Sequence, residues 1–198
     1  MTIEQKRPAI FLDRDGTITE ECGYVNHPSR LKLIRGAGEA IRMCNEHGFL
    51  AVVVTNQAGV AHGHFTEAFV RDLHRHLDER FRAGGARIDA FYYCPHMPSA
   101  RVEAYRTECE CRKPKPGMVL QAQRDLDLDL GRSFIVGDQW SDLGLGRAAG
   151  LKTILVRTGY GPSVEALPRD GITADLVVDT LMDAVSWILR RPALTEGR

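Results

Sequence analysis

The sequence predicts an α/β fold in which helices pack on a doubly wound parallel sheet. Short apolar runs alternate along the chain with segments whose apolar residues recur every three to four positions, which is typical of strands followed by helices. Several runs are continuously apolar, as in parallel strands that are buried on both faces. The length of 198 residues suits one domain, so we expect a single domain over residues 1–198.

The strands are predicted from β-branched and apolar runs that are bounded by Gly, Pro or polar residues. The run at residues 49–54 is the clearest, because it is apolar throughout and ends in Thr55 and Asn56. The predicted strands, in order, cover residues 10–12, 49–54, 88–93, 133–136, 152–156 and 175–178.

The helices are predicted from apolar periodicity and from their end signals. In the first, Ala37, Ala40, Ile41 and Cys44 form one apolar face, and Gly48 stands where a C-terminal cap belongs. The predicted helices cover residues 36–48, 66–82, 117–127, the segment from just after Asp138 to 149, and 181–189. We expect loop at residues 58–64, and disorder only at the last few residues.

Composition excludes several classes of protein. Lys plus Arg (26) balance Asp plus Glu (26), so charge suggests no nucleic-acid or membrane partner. The polar N-terminus resembles no signal peptide, and no apolar run approaches the roughly 18 residues of a membrane helix. We expect a soluble, cytoplasmic monomer.

Polar residues follow three of the predicted strands. Asp13 and Asp15 follow the first, Thr55 and Asn56 the second, and Asp138 the fourth. Ligands of open α/β sheets bind at the carboxyl ends of the strands, so these residues are expected to share one site. Carboxylates and a substrate phosphate are ligands that Mg²⁺ favours. The bland alternative is an acidic turn that caps a helix.

This set of side chains can support phosphoryl transfer. A carboxylate held beside Mg²⁺ can attack phosphorus, and the transferred group needs donors and cations around its oxygens. Thr55 offers a hydroxyl, while Arg112 and Lys113 offer two cations. Asp142 can orient a metal-bound water or a ligand.

Three of the five cysteines and one of the seven histidines lie in one irregular segment, residues 94–116, which we call the zinc loop. Cys94, His96, Cys109 and Cys111 form a C-x-H and C-x-C pair. Three thiolates and an imidazole can close a tetrahedral zinc site, with unpaired thiols as the alternative. The zinc would fix Arg112, which follows Cys111 directly. Of the other histidines, His74 and His76 are expected on the solvated surface.

The motifs around Asp13, Thr55, Lys113 and Asp138 resemble, in order, the four motifs of haloacid dehalogenase-like (HAD) phosphatases, which have a Rossmann-like fold. The resemblance implies that Asp13 is the nucleophile and that Asp15 is the acid and base. It implies that Thr55 and Lys113 stabilise the phosphoryl group. It also implies that Asp13, the Asp15 backbone carbonyl and Asp138 hold Mg²⁺. The metal-free dehalogenases of the superfamily lack the second aspartate.

The zinc loop resembles that of the branch containing D-glycero-D-manno-heptose 1,7-bisphosphate 7-phosphatases and histidinol-phosphate phosphatases, and no large cap domain is visible. The resemblance is closer to the heptose enzymes, whose 7-phosphatase activity supplies lipopolysaccharide precursors. It implies these substrate-binding residues: Glu21, Cys22, Gly23, Tyr24, Thr55, Asn56, Gln57, Ala58, Arg112, Lys113 and Gln139.

Three positions depart from the heptose enzymes. Gln139 replaces a common Lys, Ala58 replaces a common Ser, and Cys22 replaces a polar residue. Loss of a cation at position 139 keeps histidinol phosphate open as the substrate. A non-catalytic phosphate-binding module is the alternative of another class.

Overall fold

A six-stranded parallel sheet forms the centre of the protein, with the strand order β3-β2-β1-β4-β5-β6. The computed structural model describes residues 6–167, 169 and 171–191, so the disorder expected at the last few residues lies outside the described part. The strands are β1 (Ala9–Leu12), β2 (Leu50–Asn56), β3 (Ala90–Cys94), β4 (Phe134–Gly137), β5 (Lys152–Val156) and β6 (Leu176–Val178).

Helices connect the strands and cover both faces of the sheet. They are α1 (Ala37–Glu46), α2 (Ala58–Ala61), α3 (Glu67–Ala83), α4 (Gly117–Leu126), α5 (Trp140–Ala149), α6 (Gly161–Ala166) and α7 (Leu181–Leu189). Short 3-10 turns lie at Pro28–Arg30, Glu103–Tyr105 and Leu130–Arg132. None of the helices within the described residues is long and apolar enough to span a membrane.

The predicted fold class is confirmed, and each predicted strand and helix is present within about two residues of its expected ends. Gly48 ends the first helix region in the left-handed conformation, with φ of 81°. The loop expected at residues 58–64 is wrong at its start, where α2 forms. Four residues are about one turn, too few for any apolar period to show in the sequence. The short helix α6 was also not predicted from the sequence.

The two faces of β1 explain its uninterrupted apolar sequence. Ile10 and Leu12 belong to the core between the sheet and the layer of α1 and α7. Ala9 and Phe11 belong to a second core on the opposite face, together with residues of α4 and α5. All four side chains are fully buried. A strand buried on both faces needs apolar residues at every position.

The strand order places β1 at the point where the chain reverses direction across the sheet. The chain runs from β1 to β2 and β3 on one side, and then returns to β4 on the other side. Ligands of such sheets bind outside the carboxyl ends of the strands at this switch point. Asp13 follows β1 directly and therefore lies at the expected binding position.

Candidate active site

A cavity of about 470 Å³ opens at the carboxyl ends of β1, β2 and β4. Most of the predicted site residues line it: Asp13, Asp15, Glu21, Gly23, Tyr24, Thr55, Asn56, Gln57, Ala58, Arg112, Lys113 and Gln139. Cys22 does not line the cavity; it packs against the hydrophobic core, and its thiol lies 3.9 Å from the carbonyl oxygen of Arg30. Asp138 is fully buried beside the cavity rather than lining it.

Lys113 is the central cation of the site. Its Nζ donates to Oδ1 of Asp142 at 2.7 Å and to the carbonyl oxygen of Val54 at 3.0 Å, and it lies 2.8 Å from Oδ1 of Asp13. The side chain is 1% exposed. Burial acts to lower its pKa, but the two carboxylates outweigh burial and the pKa is raised. Lys113 is therefore a fixed, permanently charged group beside Asp13.

Asp142 differs from its expected role of orienting a water or a ligand. Its Oδ1 accepts from Lys113, and its Oδ2 accepts from the backbone N–H of Gln139 at 3.0 Å at the start of α5. Both oxygens are thus already engaged, and the carboxylate is fully buried. Asp142 holds Lys113 in place and caps α5.

Asp13, Asp138 and Asp142 form a buried acidic cluster. One oxygen of each lies within 4.8 Å of those of the others. Burial raises the pKa of Asp13 to about 7 despite Lys113, and burial together with the charges of Asp13 and Asp142 raises that of Asp138 to about 8. Three carboxylates face one ammonium, so the cluster carries an excess of negative charge that a divalent cation would neutralise.

The surroundings of Asp138 also fit a metal. Its Oδ2 accepts from the backbone N–H of Tyr160 at 2.8 Å, while its Oδ1 is buried with no hydrogen-bond partner among the described residues. Buried carboxylate oxygens normally have partners. A Cβ atom added to Gly16 or Gly159 would overlap the Asp138 carboxylate. Two glycines thus let the backbone approach the Asp138 carboxylate, one oxygen of which has no partner.

Asp15 is held by neighbours different from those of Asp13. Arg14 forms a bidentate pair with it, with Nε 3.0 Å from Oδ1 and Nη2 2.7 Å from Oδ2, and Gln57 Nε2 donates to Oδ2 at 3.1 Å. Thr19 donates to Oδ1 at 3.3 Å. Burial acts to raise the pKa of Asp15, but the charge and hydrogen bonds of Arg14 outweigh it and the pKa is lowered. The two aspartates therefore differ in their electrostatic environment.

His74 corrects the sequence-based expectation of a solvated surface position. Its side chain is 5% exposed, stacks on Phe91 and lies 3.3 Å from Nη1 of Arg14. His76, two residues further along α3, is exposed as expected. The spacing of the two residues places them on different faces of the helix, and the one nearer β3 points inward.

The four ligands predicted in the zinc loop are brought together. Cys109 Sγ lies 3.5 Å from Cys94 Sγ and 3.3 Å from Cys111 Sγ, and His96 Nδ1 lies 3.4 Å from Cys111 Sγ. Tetrahedral zinc with ordinary bond lengths separates two sulfurs by about 3.8 Å and sulfur from nitrogen by about 3.6 Å. The side-chain geometry and the donor set therefore fit zinc.

The zinc loop is joined to the cavity by its last residues. Arg112 Nη1 donates to the carbonyl oxygen of His96 at 3.0 Å, so the guanidinium is anchored to one of the four clustered ligands. Asn56 at the end of β2 receives the N–H of Lys113 at 3.0 Å and donates to its carbonyl oxygen at 3.2 Å. These contacts fix both cations relative to the strand ends.

The loop of residues 21–24 covers another side of the cavity. Glu21 accepts the N–H of Gly23 at 2.6 Å, which closes a tight turn. The ring of Tyr24 lies 4.4 Å from that of His64 and also contacts His62 and Phe65. Tyr24 is 44% exposed. The loop thus presents a partly open aromatic wall to a ligand.

Comparison with known proteins agrees with this architecture. The HAD-hydrolase-like family model matches residues 110–184. The chain is 41% identical over 187 residues to a D-glycero-beta-D-manno-heptose-1,7-bisphosphate 7-phosphatase of Haemophilus ducreyi, covering 92% of this chain and 98% of that protein. The chain belongs to this family of HAD-like phosphatases. The enzyme of the same name from Escherichia coli K12 is 44% identical over 177 residues. This match covers 89% of this chain and 91% of the E. coli protein.

Solved structures give the same result for this HAD-like phosphatase. The D,D-heptose 1,7-bisphosphate phosphatase of B. bronchiseptica, complexed with magnesium and phosphate, superimposes with a TM-score of 0.82 at 31% identity. The alignment covers 92% of this chain and 98% of that one. A HAD-like phosphatase of Mesorhizobium loti has a TM-score of 0.81 at 32% identity, covering 98% and 90%.

Sequence reasoning did not assign some residues of the site. Ser141, Tyr160 and Phe65 also line the cavity, and Arg14 and His74 lie behind Asp15. Tyr160 could have been predicted from the sequence, because it lies in the loop that follows β5 and therefore at the same edge of the sheet. His74 could not, since its contact with Arg14 joins residues 60 positions apart.

Proposed function

We propose that this protein is an Mg²⁺-dependent phosphatase that removes the 7-phosphate of D-glycero-D-manno-heptose 1,7-bisphosphate through an aspartyl-phosphate. The observation that carries the proposal is the placement of Asp13 at the switch point of the sheet, between Lys113 and the buried carboxylate of Asp138. Heptose bisphosphate phosphatases that are 41% and 44% identical over about nine tenths of this chain support the same function.

In the first step a carboxylate oxygen of Asp13 attacks the phosphorus. A bond forms between that oxygen and phosphorus while the bond from phosphorus to the sugar oxygen breaks. Asp15 gives its proton to the leaving sugar oxygen, and an acid in this role is worth about 10²- to 10⁴-fold in rate. The dianionic phosphate beside Asp15 raises the pKa of that carboxyl, which favours the protonated form when substrate is bound.

In the second step water attacks the phosphorus of the aspartyl-phosphate. Asp15, now ionised, takes a proton from the water, the bond between phosphorus and Asp13 breaks, and inorganic phosphate leaves. Lys113 and the Thr55 hydroxyl stabilise the negative charge on the phosphoryl oxygens in both steps. Thr55 is held beside Asp15 by Gln57, whose Nε2 donates to Oγ1 of Thr55 at 2.9 Å.

Two metal ions complete the proposal. Asp13, Asp138 and the backbone carbonyl of Asp15 would hold Mg²⁺, and the ion would neutralise negative charge of the carboxylates and the phosphate. Cys94, His96, Cys109 and Cys111 would hold a structural Zn²⁺, whose four ligand positions are all occupied by protein. The zinc has no direct part in the chemistry and acts by fixing the zinc loop.

The substrate assignment rests on charge at the rim of the cavity. Arg112 lies there beside Lys113, and a second phosphate on the sugar would be recognised by this guanidinium. The neighbouring Gln139 carries no charge, which keeps histidinol phosphate as a second candidate substrate. We further propose that the protein acts as a single-domain monomer in the cytoplasm.

The test compares initial rates on heptose 1,7-bisphosphate and histidinol phosphate with Mg²⁺ present. We expect hydrolysis of the heptose substrate at the 7-position to be faster, and Asp13→Asn to abolish it without changing the circular dichroism spectrum. Faster hydrolysis of histidinol phosphate would instead assign that compound as the substrate. An absence of hydrolysis of any phosphate ester would remove the enzyme proposal and leave a phosphate-binding module.

A further inference from the structure

We propose that His74 is a positioning residue for phosphoryl transfer, because its imidazole fixes the Arg14 guanidinium that orients the Asp15 carboxylate. The inference rests on the proposed function, in which Asp15 carries the proton. His74 itself touches neither the cavity nor the reacting atoms, and it acts through Arg14.

Arg14 is fixed in place by its neighbours. Its side chain is fully buried, and all three guanidinium nitrogens have partners. Nε and Nη2 contact the two oxygens of Asp15, Nη2 also donates to Oε1 of Gln57 at 3.0 Å, and Nη1 donates to Nε2 of His74 at 3.3 Å. A bidentate pair fixes two groups relative to each other. The contact with His74 then fixes the pair relative to the fold.

The imidazole of His74 is in its neutral form. Burial and the charge of Arg14 lower the pKa of His74 to about 3, so the ring is neutral. Since a guanidinium only donates, Nε2 of His74 carries the lone pair and the ring proton is on Nδ1. The neutral ring is therefore a dedicated acceptor for Arg14.

Aromatic neighbours hold the imidazole in one orientation. The ring stacks on Phe91 of β3, with centroids 4.7 Å apart and planes 19° from parallel. The ring of Tyr93 contacts it edge-on at 5.8 Å. Two aromatic residues of β3 thus hold His74 of α3. Through His74 and Arg14, Asp15 is connected to β3 as well as to β1. Misplacement of a catalytic group by about 1 Å can reduce a rate about 100-fold.

The test uses three variants of the full chain. His74→Phe keeps an aromatic ring against Phe91 and removes the acceptor. His74→Gln removes the ring and keeps an acceptor oxygen at about the position of Nε2. His76→Phe makes the same exchange at an exposed position of α3 and is the matched control. Steady-state kcat and KM are measured with Mg²⁺, together with the melting temperature.

We expect His74→Phe to lower kcat about 10- to 100-fold with KM within about twofold of wild type. His74→Gln should recover kcat to within about threefold of wild type, although its melting temperature falls because it loses the stacked ring. His76→Phe should leave kcat unchanged. If His74→Phe does not fold, His74→Asn replaces it, since its shorter amide ends short of Arg14, and its kcat is compared with that of His74→Gln.

Two outcomes would overturn the proposal. One is a folded His74→Phe variant with wild-type kcat. The other is a kcat that follows the melting temperature across the variants, with His74→Gln as slow as His74→Phe, which would make His74 a packing residue only. Inactive wild-type protein would instead count against the proposed function, so the two failures are distinguishable.

Discussion

The ammonium of Lys113 lies 2.8 Å from Oδ1 of Asp13, although the two residues are 100 positions apart in the sequence. Asp142 Oδ1 accepts a hydrogen bond from the same ammonium at 2.7 Å. Lys113 therefore joins the end of β1, the end of the zinc loop and the first turn of α5. Its charge is already in place before any phosphate arrives, which is the arrangement that stabilises developing charge most strongly.

We predict that Lys113→Met lowers kcat by about 10²- to 10³-fold, as the loss of one preorganised donor does elsewhere. The variant keeps the unbranched stem of the side chain, one atom shorter, but leaves Asp13 and Asp142 without their cation. The control is Lys115→Met, because Lys115 forms only a surface pair with Glu110. Initial rates with Mg²⁺ would check the prediction, and a folded Lys113→Met variant with wild-type kcat would contradict it.

A second prediction concerns Gly16. Gly16 and Gly48 share a φ of 81°, so alanine is strained at either position by about 1–2 kcal/mol. Only at Gly16 would the new methyl group overlap the Asp138 carboxylate, whereas nothing lies within 4 Å at Gly48. We expect both variants to lose stability through backbone strain, Gly16→Ala to lose more because of the overlap, and only Gly16→Ala to lose activity and Mg²⁺ affinity.

Thermal melts and Mg²⁺ titrations of the two glycine variants separate strain from overlap. Equal activity in Gly16→Ala and Gly48→Ala would show that the close approach to Asp138 has no functional importance. The comparison requires no assumption about the substrate, since Mg²⁺ binding is measured on its own.

A third prediction is a pH dependence of stability. Burial raises the pKa of Asp138 from 3.8 to about 8 in the metal-free fold. Between these values the folded protein holds a proton that the unfolded chain has lost, so this residue lowers the free energy of unfolding as pH rises. Each pKa unit corresponds to about 1.4 kcal/mol. Asp138→Asn mimics the protonated carboxyl and removes the effect.

We therefore expect the melting temperature of Asp138→Asn, relative to wild type in EDTA, to increase by several degrees between pH 5 and pH 8. Excess Mg²⁺ should reverse the order at pH 8, because it binds the wild-type carboxylate and not the amide. A melting-temperature difference between the two proteins that stays constant across this pH range would contradict the assignment of Asp138 as a buried carboxylate that binds the metal.

A fourth prediction concerns the zinc loop. Cys109→Ser should lower the zinc content, measured by mass spectrometry, well below one ion per chain, while Cys22→Ser should not. Structural zinc is worth about 10–16 kcal/mol in small finger peptides, so the loop should loosen when the ion is lost. Because Arg112 is anchored to His96, we expect KM for the bisphosphate to rise more than kcat falls. Unchanged kinetics after verified zinc loss would contradict this coupling.

The sequence by itself determined the fold class, the strand ends that carry polar residues, and the four clustered Cys and His ligands. These depend on local patterns: periodicity separates strands from helices, and short spacings bring Cys109 and Cys111 together. The order of the motifs along alternating strands was enough to expect Asp13, Thr55 and Asp138 at one edge, since all parallel strands end there.

Only the tertiary structure decided which side chains support these groups. Asp142 holds Lys113 rather than a ligand, Cys22 packs against the core instead of lining the cavity, and His74 is buried behind Arg14. Each of these facts depends on strand order and on packing between elements far apart in the chain. A local pattern shows which face of a helix is apolar, but not which buried charge lies opposite a histidine on that face.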